Sequence, residues 1–220
     1  MALRTATETT TARPPSQSPA ALSTPTGPLA PRFDVGRPCL GLLATTHPAE
    51  RLGSLPELGD WIARSRLVPP GTVLAHADPT WPAAFRELRF HLDRLVRAAL
   101  APGTVPADRA AASLAHVNVL ARAAAPPAPR AVRAADGTLV RELAGPPECA
   151  ALLAALARDA VELLTDPAAR AGLRQCEGDN CPVVYLDTSR GRRRRWCSSE
   201  VCGNRERVAR HRRRAAATPR

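Results

Sequence analysis

Between residues 82 and 100 apolar side chains recur with a helical period. Phe85, Leu88, Leu92, Leu95, Val96 and Ala99 share a face, while Arg86, Arg89, Asp93 and Arg97 fall mostly on others. The pattern predicts a helix over 82–100. Ahead of it, Ser54 and Glu57 stand at capping-box spacing before Leu58, Trp61 and Ile62. A shorter helix is therefore expected at about 55–66, with Pro56 tolerated in its first turn and Pro69-Pro70-Gly71 ending the unit. A third helix is expected over 106–124, opening at Val105-Pro106, stopping before Pro126-Pro127 and turning Leu114, Val117 and Leu120 inward. The period then changes. Ala131 to Ala134 and Thr138 to Leu143 flank Asp136-Gly137, a turn-forming pair, so two short strands should form a hairpin there. A helix over 147–165 follows, with Leu152, Leu153, Leu156, Ala160, Leu163 and Leu164 as one apolar stripe. There is no internal repeat.

The two ends of the chain differ from this middle. Residues 1–31 are dominated by Thr, Ala, Pro and Ser, too poor in large apolar side chains to offset their ordering entropy, and are expected to be a disordered arm. Order is expected to begin near Phe33, and residues 32–170 to form a helical domain. Across the 220 residues, 45% are hydrophobic and only 3% aromatic, so the core must be built from Leu, Val and Ala. The fold class that follows is mainly α with a small β-hairpin.

Charge singles out the other end. All 31 basic residues are Arg, and the formal net charge is +11. Residues 170–220 hold 14 Arg against 5 acids, a net +9, so a polyanionic partner is to be sought there. No apolar run approaches the roughly 18 residues needed to span a bilayer, and no basic region followed by a hydrophobic stretch opens the chain. The expected location is the cytoplasm, in association with the nucleoid. Thiols stay reduced in that compartment, so the six cysteines read as metal ligands and buried thiols rather than as a disulfide framework.

Cys176 and Cys181 enclose four residues, Cys197 and Cys202 enclose four more, and fifteen separate the pairs. Four thiolates so arranged suit one tetrahedral zinc, with an iron site or four separate buried thiols as the alternatives. A closed four-thiolate shell leaves no open position, so the metal is expected to be structural and to supply folding energy. Between the pairs, Val183 to Asp187 and Arg194 to Trp196 read as two strands around a turn near Ser189-Arg190-Gly191. Beyond them, Arg205 to Arg214 contains no breaker and should be helical. Cys202 would then sit at the helix N-terminus, where the dipole favours its negative charge, and Gly203 beside it permits close backbone approach. Knuckle, hairpin and ligand-bearing helix follow the order of a treble-clef finger.

The segment Cys202-Gly203-Asn204-Arg205, with Asp187 to Arg190, Arg195-Trp196-Cys197 and the basic helix, resembles the CGNR zinc-finger family over about forty residues. Upstream, Leu40 to Thr46, Leu55 to Ile62 and the Leu152 to Leu164 helix resemble the alanine-rich stress-regulator domain (ABATE) that usually precedes this finger. Thr45-Thr46 stands where an Asn-Thr pair is common in that domain. The resemblance implies a regulator with an N-terminal sensing or assembly domain and a C-terminal DNA-binding finger, residues 171–215. The family's metal ligands match Cys176, Cys181, Cys197 and Cys202.

Arg192, Arg193, Arg194 and Arg195 between the pairs, and Arg205, Arg207, Arg210, Arg212, Arg213 and Arg214 on the helix, offer guanidinium forks for phosphates and guanine edges. Arg207, Arg210 and Arg214 share one helix face. Val201, Val208 and in part Ala209 are expected to pack towards the hairpin, with Trp196 covering the metal site. Cys39 and Cys149 lie in apolar surroundings and read as inert thiols. His47, His76, His91, His116 and His211 show no ligand or catalytic spacing, and no nucleophile triad, phosphate loop or carboxylate pair is present, so no catalytic residue is assigned. The reading is a DNA-binding transcription regulator, not an enzyme, in which the helical domain receives a small-molecule signal or makes a homodimer. An RNA or ribonucleoprotein binder, or a protein–protein adaptor, is the alternative. Few aromatics counts against single-strand recognition, for which only Tyr185 and Trp196 are at hand in the module.

Overall fold

Every segment with helical periodicity is a helix in the computed structural model, which describes residues 35–217 and side chains as far as residue 214. The arm expected over residues 1–31 and the start of order near Phe33 lie outside the described residues. In chain order the elements are α1 (Pro38–Leu43), a 3-10 turn (Ala44–Thr46), α2 (Leu55–Arg64), α3 (Trp81–Leu100), α4 (Ala107–Ala123), β1 (Pro129–Arg133), β2 (Leu139–Leu143), α5 (Cys149–Thr165), α6 (Pro167–Arg170), β3 (Leu173–Gln175), β4 (Val184–Leu186) and α7 (Cys202–Ala217). The fold is mainly α, with two small antiparallel strand pairs, β1–β2 and β3–β4.

The Ser54 hydroxyl accepts from the Glu57 amide while the Glu57 carboxylate accepts from the Ser54 amide, so α2 opens on the expected capping box. Helix α5 packs on α4 and α3, and α1 lies across α3 and α5. Leu40, Leu42, Phe85, Leu88, Leu92, Leu152 and Leu156 are wholly buried where these helices meet. Asp159 of α5 accepts the Cys39 amide at 2.8 Å and pairs with Arg37 at 2.9 Å, satisfying an amide that α1 leaves open at its N-terminus. The next residue along α5, Arg158, turns to α4 instead, donating to the Ala121 and Ala124 carbonyls where α4 stops. On α4 the expectation needs one correction. Val117 is buried, but Leu114 is 48% exposed and its neighbour Ser113 is wholly buried, because the Ser113 hydroxyl has a polar partner inside, His91 of α3.

Thr45 shows what its position does in this chain. It is buried, donates to the Leu42 carbonyl at 2.6 Å and accepts from Arg89 at 2.7 Å. Arg89, itself 8% exposed, also forks onto both carboxylate oxygens of Glu50. The hydrogen bonds from Arg89, with the Leu52 and Arg51 amides adding to them, hold the Glu50 carboxyl down at about 2. A depressed carboxyl stabilises the fold at pH values above its unfolded value near 4.5, and that contribution is lost as pH falls towards 2. Glu50→Gln is therefore expected to lower the melting temperature at neutral pH, the gap to wild type closing as the solution is acidified to about pH 2. Melting curves across pH check this, and a gap that widens in acid would refute it.

Candidate metal centre and nucleic-acid interface

The hydrophobic core does not end with α5. Leu173 of β3 and Val184 and Tyr185 of β4 belong to the same buried cluster as α1 and α3. Tyr185 is completely buried, and its hydroxyl donates to the Arg194 carbonyl. On its far edge, β4 donates the Leu186 amide to the Val35 carbonyl at 2.9 Å. Gly36, at φ +87°, passes so close that a Cβ there would meet the Leu186 Cβ at 3.1 Å and its carbonyl oxygen at 3.2 Å.

This arrangement corrects the expected strand pairing. The partner of Val184–Leu186 is Leu173–Gln175, upstream of the first cysteine pair, and not the Arg194–Trp196 segment. That segment spends its backbone elsewhere. The Arg194 amide goes to the Asp187 carboxylate, the Arg194 carbonyl to Tyr185, and the Arg195 carbonyl to the Glu177 amide. The first knuckle is thus the tip of the β3–β4 ribbon, closed by the Cys176 amide on the Val183 carbonyl, with Asn180 taking the left-handed conformation its side chain tolerates.

Cys202 is the first residue of α7, as its spacing implied, and brings the second pair back to the knuckle. The four thiols of Cys176, Cys181, Cys197 and Cys202 form one cluster, with Sγ atoms 3.7 Å apart for Cys181 and Cys197 and 3.6 Å for Cys197 and Cys202. A tetrahedral zinc with bonds of about 2.3 Å separates its sulfurs by about 3.8 Å, so the cage has the size of a single ion. Its surroundings suit thiolates. The Gly178 amide points at Cys176 Sγ from 3.4 Å and the Cys197 amide from 3.3 Å. As thiols the group is electrostatically frustrated: the hydrogen bond from Cys197 pulls Cys181 down to about 5, that same interaction pushes Cys197 up, and burial pushes Cys202 up to about 11. One zinc relieves the conflict by taking all four as thiolates. The residues fit one structural zinc ion.

Gly178 is a tight point in this cage. A Cβ on it would lie 3.1 Å from the Cys202 Cβ, 3.3 Å from the Cys202 sulfur and 3.4 Å from the Cys176 sulfur. Gly178→Ala should weaken zinc retention by about 1–3 kcal/mol, the range for overpacking a filled site. Competition with a chromophoric chelator measures it; retention equal to wild type would show that the knuckle yields at no cost.

Asp187 carries a role that sequence reading missed. It is buried, and hydrogen bonds from Ser189 and from the Arg194 amide keep its carboxyl below the usual range. By gathering those donors it folds the loop 188–194 and sets the direction of the arginines on it. The arginines divide accordingly. Arg194 is half-buried, lies over the Tyr185 ring, and donates to the Trp196 and Cys197 carbonyls, so its fork serves the finger itself. Arg192, Arg193, Arg195, Arg205, Arg207, Arg210, Arg212, Arg213 and Arg214 are all exposed, as is Arg190, which the motif reading left aside. Arg195 pairs with Glu177, and Arg213 with Glu206 across two turns of α7. The Trp196 ring lies against Gly203, the residue next to the ligand Cys202, where a Cβ would meet it at 3.6 Å. Val208, expected to face inward, is 43% exposed, whereas Val201 and Ala209 are half-buried and Arg207 donates to the Ser199 carbonyl at 3.2 Å: α7 meets the finger through its first two turns and leaves Arg210 to Arg214 in solvent.

Elsewhere the isolated thiols behave as expected. Burial pushes Cys39 well up and Cys149 up to about 11, which makes both poor nucleophiles. No helix among the described residues is long and apolar enough to cross a membrane. Two family models match the chain. Residues 36–167 match ABATE, described as a "putative stress-induced transcription regulator", and residues 173–215 match the CGNR zinc finger; neither is an enzyme family. Comparison with curated proteins gave no match.

Proposed function

The chain belongs to the ABATE family and ends in a CGNR zinc finger, and from that premise we propose that it is a transcription regulator that binds duplex DNA through the arginines of the finger. The observation that carries the reading is the exposed arginine array on α7 and the 188–195 loop, mounted on a finger whose β3–β4 ribbon is anchored in the helical core. An α-helix whose outer faces carry Arg207, Arg210 and Arg214 matches the width of a major groove, and guanidinium forks suit both phosphates and guanine edges. The exposed loop arginines Arg192 and Arg193 are available as further phosphate contacts.

A single-stranded RNA target is less well served. Tyr185 is completely buried, and Trp196 is half-buried against Gly203 with the Arg195 guanidinium over its ring, so neither offers an open face on which a base can stack. In this reading the helices of residues 32–170 hold the finger and supply the sensing or assembly function, and the four cysteines have no catalytic part. The test is a set of fluorescence titrations of the full-length zinc-loaded chain against duplex DNA, single-stranded RNA and duplex RNA of equal length and salt. Preference for duplex DNA is expected. Tighter binding to either RNA would replace DNA by RNA as the target, and absence of binding to all three at low salt would turn the finger into a protein adaptor.

A further inference from the structure

Away from the finger, α3 and α4 bring one carboxylate and two imidazoles together. Glu87 and His91 stand one turn apart on α3, His116 meets them from α4, and a ligand atom from each lies within 4.8 Å of the other two. Sequence spacing hides the cluster, because it is assembled only when α4 folds back along α3. The His91 and His116 rings stack with centroids 4.0 Å apart and 21° between their planes. His91 Nδ1 lies 3.1 Å from the hydroxyl of Ser113, the polar side chain that occupies the inward position on α4 with no solvent exposure. Nothing in the nucleic-acid reading uses these residues.

We propose that Glu87, His91 and His116 form a second metal site, one that binds a divalent transition-metal ion of the imidazole-preferring class. Two neutral imidazoles and a carboxylate are the ligand set such ions take, whereas magnesium and calcium demand oxygen. Three protein ligands leave a coordination position to water, so this ion exchanges, unlike one enclosed by four thiolates. The Ser113 hydroxyl completes the arrangement found behind ligating histidines: by accepting the Nδ1–H it fixes the tautomer of His91 and leaves Nε2 as the lone-pair donor. The neutral imidazole is the ligating form, and the His91 ring offers it from a half-buried position stacked on His116. Arg94, the cation that interacts with His91, lies over the Phe90 ring, 4.0 Å from its centroid. Two stacked imidazoles repel when protonated, and an ion held between them and Glu87 turns the same proximity into a clamp across α3 and α4. Glu87 is exposed and neither ring is fully buried, so the ion enters from solvent on the Glu87 side.

Nickel(II) is the probe, added to the untagged full-length chain with its finger already zinc-loaded. Calorimetry should show one Ni²⁺ taken up per chain beyond the zinc, with a rise in melting temperature and without the near-ultraviolet absorption of nickel bound to thiolate. His116→Ala should weaken uptake about tenfold or more, and so should Ser113→Ala through the loss of its support for His91. Glu87→Gln, at an exposed position where folding is not at stake, should weaken it as well, while His211→Ala should leave it unchanged. Absence of uptake in the wild type would overturn the proposal. So would a thiolate band accompanying uptake, or an affinity that Glu87→Gln and His116→Ala leave where it was.

Discussion

Exchanging Cys181 for Ser is expected to release the zinc and melt α7 together with the loop before it, while the bundle of α1 to α5 stays folded at a reduced melting temperature. Helix α7 is 16 residues long and rich in arginine, and it touches the rest of the protein through its first two turns, from Cys202 to Ala209. With like charges along its faces and two turns of packing, it lacks the buried apolar area that holds most helices in proteins. The metal supplies what is missing. Structural zinc binding in small fingers is worth about 10–16 kcal/mol in apparent free energy, and a Ser ligand forfeits most of it. The ribbon β3–β4 behaves differently, since Leu173, Val184 and Tyr185 are anchored in the helical core. Zinc analysis, far-UV circular dichroism and hydrogen exchange resolve the two parts. A metal-free wild-type protein with four reactive thiols and a protected α7 would refute the structural role of the ion.

For DNA binding the expected result is a steep dependence on salt and a sharp contrast between two kinds of arginine. If about five of the exposed arginines reach phosphates, counterion release gives a log–log slope of about −4 to −5. Arg210→Ala should flatten that slope by about 1 if it is a phosphate contact, with a uniform loss across sequences. A loss of about 1–3 kcal/mol confined to one base position would instead mark it as a reader of that base. Charge reversal at Arg210 and Arg212 together should abolish binding without touching zinc content or melting temperature, because both side chains are exposed. Arg194→Ala is expected to do the opposite in kind: it removes the donors to the Trp196 and Cys197 carbonyls and the cover over Tyr185, so zinc retention and stability fall along with binding. Titrations at several salt concentrations, with melting curves alongside, separate the cases. A salt-independent affinity, or charge-reversal variants that bind as wild type, would leave the arginine array without this role.

The long elements were legible because their signals are local. Phe85, Leu88, Leu92 and Val96 carry a period along a helix of 20 residues, Ser54 and Glu57 mark a helix start, and Asp136-Gly137 turns a hairpin whose strands begin and end within two residues of expectation. The four-cysteine cage was legible because metal ligation fixes residue type and spacing together. What remained hidden depends on tertiary contact. Leu173–Gln175 is three residues long, too short to show alternation, and its pairing with β4 is decided by the core beneath it. Arg194 sits in a run of four identical residues, and only the position of Tyr185 and of two carbonyls distinguishes its use. Leu114 and Ser113 exchange their expected roles because a histidine one helix away offers a hydrogen bond, information that α4 does not contain.

The strand contact between Leu186 and Val35 bears on how such proteins could be recombined. A finger tied to its neighbour only by a covalent linker can be cut out and transplanted, as beads on a thread can be restrung. Here the residues just ahead of α1 lie along the ribbon of the finger, with Gly36 fitted to the back of Leu186, so the two family segments interlock at both ends of the helical part. Excised alone, residues 171–217 would expose Tyr185 and Leu173 to water and lose a strand neighbour. A functional graft would have to bring along the Val35–Gly36 segment, or a substitute for it, and gene fusions that shuffle this finger would be filtered by that requirement.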